Sequence, residues 1–160
     1  MASEIDRILA LPIAPKDGYP DLTKNFKRRG GTMVLRPIQS QILFETFKAQ
    51  GLLGLVGVGE GKTLASMLLP HVVTRQDGSP IRRPLLLIPA AMRAQCVHDW
   101  HTYAEHFLLP DTLSVRSYEE LSNNTSLLRE LAPDLIICDE AHKLRNLTAS
   151  RTKRVARYIK

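Results

Sequence analysis

The stretch GLLGLVGVGEGKT, from Gly51 to Thr63, restricts the fold of this chain more than any other. An apolar run from Gly51 to Val56 leads into a loop with glycines at Gly57, Gly59 and Gly61, followed by Lys62, Thr63 and a helical apolar pattern. That order predicts a buried strand, an anion-binding loop and a helix. Glycines let backbone N–H groups close around phosphate oxygens, a lysine reaches the outer phosphates, and a threonine hydroxyl is a ligand for Mg²⁺. The helix that follows points its positive end at the same anion. Gly57, Gly59, Glu60, Gly61, Lys62 and Thr63 are therefore candidate nucleotide-binding residues, with Thr63 also a candidate for the metal. The strict spacing G-x-x-x-x-G-K-[ST] is broken, because Val56 stands where the first glycine belongs. A glycine-rich strand-to-helix turn with a solvated lysine is the plainer alternative.

A second stretch, LIICDEAHKLRN from Leu135 to Asn146, narrows the choice. Four apolar residues predict a buried strand, and two carboxylates follow at its C-terminal end, where open α/β sheets hold their ligands. Asp139 is placed to hold Mg²⁺ through water, and Glu140 to orient and deprotonate an attacking water. Without a nucleotide, the same two acids would simply complement a helix dipole.

With 160 residues, 44% of them hydrophobic, the chain has the size and apolar content of one domain with a real core. The apolar stretch Ile8 to Ala14 is short and interrupted by Pro12, so neither a membrane span nor a secretory leader is expected. Cys96 and Cys138 form no C-x-x-C pair and are expected as small core residues in a reducing compartment. The formal charge of +6 is unevenly spread. Seven bases and no acid lie between Lys143 and Lys160, and the remaining 15 bases face 16 acids. The basic end suits either a polyanion or a solvated helix face.

In chain order, residues 1–31 are expected as a basic extension or linker with a short helix at most, and residues 32–160 as the folded domain. LRPIQ, Leu35 to Gln39, opens a helix to about Gln50, with Pro37 in its first turn and Ile38, Ile42 and Phe44 or Phe47 as its apolar stripe. The Gln39 amide has the donor and acceptor needed to read an adenine edge, although an ordinary surface glutamine looks the same. Pro70 should end the helix that begins at Lys62. A strand at Leu85–Pro89 precedes a helix with Trp100 as its largest core candidate; His98, His101 and Glu105 share one face of it, where solvated polar residues are the simpler reading than a metal site. Ser114 to Leu121 reads as a strand and a helix start near Tyr118; Asn123 to Ser126 is a turn or cap signal, and Leu127 to Leu131 finishes that helix before Pro133. Strands alternating with helices predict an α/β fold with a parallel sheet covered on both faces.

Taken together, these pieces resemble the first motor domain of superfamily 2 helicases and translocases, and within it the Swi/Snf-type group of bacterial, phage and other relatives that moves on double-stranded DNA. The resemblance spans residues 35–160. LRPIQ is similar to the adenine-reading motif, GVGEGKT to motif I, LLLIPAAMRAQCVHDW to motif Ia, SYEEL to the segment after the third strand, and DEAHKLRN to motif II. It implies a RecA-like P-loop fold and ATP with Mg²⁺ as cofactors. It also implies Gln39 on adenine, Gly59, Gly61, Lys62 and Thr63 on phosphates and metal, Asp139 on Mg²⁺, Glu140 on the attacking water, and His142 as the coupling residue. Pro89, Ala90, Arg93, Ser117, Lys143 and Arg145 are the expected nucleic-acid contacts. DNA, preferably double-stranded, and a second RecA-like domain are the expected partners, with no membrane. The expected location is the cytoplasm of a bacterial or phage-infected cell, or a nucleus if the source is eukaryotic.

The motif III strand and the second motor domain do not occur within the 160 residues. A weak ATPase is therefore expected of this chain alone, since a missing arginine finger is worth ~10³ to 10⁵ in rate. A vacant place is also expected between Gly51–Val56 and Leu135–Cys138. The alternative function is a nucleotide-dependent binding module without hydrolysis.

Overall fold

The computed structural model describes residues 18–54, 56–57 and 59–159. The N-terminal helix considered above, Leu55 of the expected first strand and the terminal Lys160 lie outside the described residues.

Three strands form one parallel sheet in the order β2–β1–β3: β1 (Pro84–Ile88), β2 (Ser114–Ser117) and β3 (Leu135–Cys138). Leu86 of the central strand lies opposite Val115 on one side and Ile137 on the other. A strand with neighbours on both edges and helices on both faces has no polar side, and all five β1 residues are buried. Leu85 and Leu87 pack with Tyr118, Leu121, Leu127, Leu128 and Val155. Leu86 and Ile88, pointing the other way, pack with Met67, Cys96 and Ile137. The period of two along β1 thus builds two separate cores.

The first of these faces is covered by α5 (Tyr118–Asn123), α6 (Leu127–Leu131) and α7 (Ser150–Tyr158). The second is covered by α3 (Lys62–Leu68) and α4 (Arg93–Ala104). Chain punctuation sets the element ends. Pro37 occupies the first turn of α2 (Pro37–Ala49), and Pro70 turns the chain after α3 into a short 3₁₀ helix, Leu69–His71. Ser117 caps α5 by accepting the Glu120 N–H at 3.0 Å, while Glu120 Oε2 accepts the Ser117 N–H at 3.2 Å.

A third core cluster joins Phe26, Leu35, Leu43, Leu64, Leu68 and Phe107. Phe26 ends α1 (Thr23–Phe26), and Lys27 bridges Phe107 in an antiparallel pair, so part of the stretch expected as a linker packs into the domain. Several core expectations are corrected here. Leu43, not Ile42 or Phe47, is the fully buried residue of α2, and Phe47 is exposed. On α4 the buried residue is Cys96, whereas Trp100 is only half-buried.

The largest correction concerns Gly51–Val56. Its described residues form no strand and no ladder with β3, and Leu52 and Leu53 are 47% and 80% exposed. A strand is held by its neighbour's backbone, and glycines at Gly51, Gly54 and Gly57 make this run costly to order without one. An open groove of about 1020 Å³ lies between this segment and the outer edge of β3. A vacant place between two facing strands was expected; the groove is instead bordered by β3 and by a segment whose described residues form no strand.

Candidate functional site

The site is built where β3 ends. Asp139 is anchored at three points: its N–H donates to the Leu87 carbonyl at 2.9 Å, its carbonyl accepts the Tyr118 hydroxyl at 2.7 Å, and its Oδ1 accepts the Glu140 N–H at 3.0 Å. Glu140 then takes a left-handed backbone, φ +56, which few residues other than glycine adopt without strain. That turn brings its carboxylate to Lys62, the first residue of α3. Lys62 Nζ lies 3.0 Å from Glu140 Oε1, and His142 Nδ1 lies 3.1 Å from Glu140 Oε2. Two stretches 78 residues apart in sequence are thereby joined. Lys62, Asp139, Glu140 and His142 line the inner end of the groove, together with Gly57.

The two carboxylates sit in opposite electrostatic settings. Burial pushes the Asp139 carboxyl up, opposed by the nearby Lys62 charge and reinforced by Glu140. Hydrogen bonding from Lys62 holds the Glu140 carboxyl below its ordinary value, against a smaller desolvation effect. The Lys62–Glu140 pair therefore persists above the usual carboxylate range and is lost as pH falls through the lowered value. Asp139 behaves in the opposite sense, its ionised form being the disfavoured one unless a cation is supplied.

The glycine loop is held from α2. Gln39 is buried; its Oε1 accepts the Arg36 N–H at 2.8 Å and its Nε2 donates to the Gly61 carbonyl at 2.9 Å. The Arg36 guanidinium donates to the Gly59 carbonyl. Gly59 and Gly61 have φ of +82 and +74, and a Cβ on Gly61 would fall 2.3 Å from Gln39 Nε2. Gln39 thus serves here as a strut under the loop, with both ends of its amide engaged. Thr63 lies half-buried in the first turn of α3, and Glu60 is exposed.

The residues expected on nucleic acid follow the ends of β1, β2 and β3. The Ala90 N–H donates to Glu119 Oε2 at 3.0 Å, Arg93 Nη1 lies 2.8 Å from Glu120 Oε1, and Ser117 is buried in its capping role. Pro89 precedes the short 3₁₀ turn Ala90–Met92. Arg145 is exposed, and Lys143 is half-buried with its carbonyl accepting the Arg151 Nε–H at 2.9 Å. The basic C-terminal stretch is less available than its charge suggests. Arg154 donates to the carbonyls of Leu121 and Asn124, so Arg151 and Arg154 fasten α7 to the domain. Sequence reasoning missed these two clamps, and also Tyr118 beneath Asp139. No group of His, Cys, Asp or Glu able to hold a metal by itself occurs among the described residues, His98, His101 and Glu105 included.

No protein-family model matches the chain, and no curated protein matches its sequence. The chain is α/β, with a three-stranded parallel sheet flanked by helices. Among the described residues no helix is long and apolar enough to cross a membrane.

Proposed function

We propose that this chain is the ATP-binding motor domain, RecA-like in fold, of an ATP-dependent DNA helicase or double-stranded DNA translocase of the superfamily 2, Swi/Snf-type kind. The observation that carries the reading is the 3.0 Å contact between Lys62 and Glu140. A lysine that opens a helix after a glycine loop meets the carboxylate of a DEAH turn, and hydrolysis of a nucleotide needs both at one phosphate. The donor set fits Mg²⁺. Asp139 is a buried carboxylate whose single hydrogen bond among the described residues comes from the next peptide, and burial disfavours its charge in the absence of a cation. Thr63 and Asp139 would hold the ion, which supplies charge neutralisation at the phosphates.

In this reading the phosphates draw Lys62 away from Glu140. Glu140 is then free to orient a water and accept its proton as the water oxygen bonds to the terminal phosphorus and the bond to the leaving phosphate breaks. Exposed Arg145 and the turn Pro89–Arg93 face DNA through its backbone, so affinity should depend on salt and little on base sequence.

ATP turnover by the longest natural form, measured with and without duplex DNA, tests the proposal. Stimulation by duplex is expected, and Glu140→Gln should keep ATP binding while stopping turnover. ATP binding without turnover in the unaltered protein would favour the binding module. Absence of both, or a response to RNA alone, would contradict the assignment.

A further inference from the structure

We propose that Tyr118 is a positioning residue that ties the carboxylate turn Asp139–Glu140 to the C-terminal ends of β1 and β2. The part of this inference that concerns DNA rests on the reading above; the mechanical link does not. Tyr118 is the first residue of α5, is fully buried, and spends its hydroxyl on the Asp139 carbonyl at 2.7 Å. That carbonyl belongs to the same rigid peptide plane as the Glu140 N–H. Fixing the carbonyl fixes the plane from which Glu140 departs in its left-handed conformation, and hence the direction in which the Glu140 carboxylate leaves the backbone. A phenylalanine would fill the same space and leave the carbonyl without its donor.

The neighbours of Tyr118 reach the other strand ends. Glu119 accepts the Ala90 N–H beyond β1, Glu120 pairs with Arg93 at the start of α4, and Ser117 ends β2 and caps α5. Four consecutive residues, Ser117 to Glu120, therefore hold the C-terminal ends of all three strands. The Glu119 and Glu120 carboxylates sit on a backbone N–H and a guanidinium that also suit a phosphodiester. A polyanion that took those donors would release Glu119 and leave Glu120 held only by the Ser117 N–H of its own cap, so the first turn of α5 would lose its ties to the β1 end and to α4 and be free to shift. Tyr118 carries such a shift to the Asp139 carbonyl. His142, which touches Glu140 directly but is largely exposed, reaches none of these strand ends by a hydrogen bond among the described residues.

The test is Tyr118→Phe, with Tyr158→Phe, whose hydroxyl donates to the Pro133 carbonyl, as the control. In the 160-residue chain without nucleotide, amide exchange at Glu140 and Lys143, whose N–H groups donate to Asp139 Oδ1 and the Glu140 carbonyl, should rise by roughly tenfold or more, with Leu86 and Leu87 of β1 unchanged. In the longest natural form the ratio of duplex-stimulated to basal turnover should fall at least about threefold while KM for ATP stays within about twofold. Unchanged exchange at Glu140 and Lys143 overturns the positioning role, and an unchanged ratio overturns the coupling. If Tyr118→Phe does not fold, Glu119→Ala at the exposed end of the same contacts should lower the ratio, and an unaltered ratio overturns the coupling equally. Should the unaltered protein turn over no ATP, the motor reading fails, and the exchange measurement still decides whether Tyr118 positions the turn.

Discussion

The two halves of the candidate site are held very differently. The carboxylate turn after β3 is fastened at the Asp139 N–H, carbonyl and side chain, by groups from β1, α5 and its own next peptide. Among the described residues the glycine loop is fastened over its second half, where Arg36 and Gln39 hold the Gly59 and Gly61 carbonyls. Its first half, from Gly51 to Gly57, borders the groove and exposes Leu53 to solvent. The proposed hydrolysis would use that division: Glu140, the proposed base, must keep its direction, whereas the loop can finish closing around a ligand.

Gly61→Ala breaks the held half of the loop most severely. The new Cβ meets Gln39 Nε2 and the residue must keep φ +74, so a loss of about 1–3 kcal/mol is expected in urea unfolding. If alanine costs less than about 0.5 kcal/mol there, the Gln39 strut does not restrain the loop. Leu53→Ser sharpens the other half and should change stability by no more than about 0.5 kcal/mol, since the side chain is already in water. A loss above about 1 kcal/mol would show that the segment is packed against the groove and that the contrast between the two halves is wrong.

The same contrast explains what could be read from the sequence. β1, β2, β3, helices α2 to α4, the start of α5 and the end of α6 were legible because apolar runs, Pro37, Pro70 and Pro133 act locally, whereas the break between α5 and α6 and the Ser117–Glu120 cap were not. Lys62 and Glu140 were expected at one nucleotide site, but their direct contact was not anticipated. Gly51–Val56 was misjudged because strand character needs a neighbouring backbone, which no local pattern supplies. Gln39 was expected on adenine or as an ordinary surface glutamine, and its burial with the amide on Arg36 and Gly61 was not foreseen. Arg151 and Arg154 were counted as surface charge although their guanidinium groups close backbone carbonyls. Charge runs report composition, and only the fold decides which charges remain free.

The central claim is that Lys62 exchanges Glu140 for the phosphates of a bound nucleotide. Calorimetric titration of Mg²⁺ and ATP into the chain and into Lys62→Ala tests it most directly. Saturable binding to the unaltered chain is expected, with a loss of roughly 10- to 100-fold in affinity for the variant, the worth of a charge-assisted hydrogen bond. Equal affinity in the two proteins, or no binding to the unaltered chain, would contradict it.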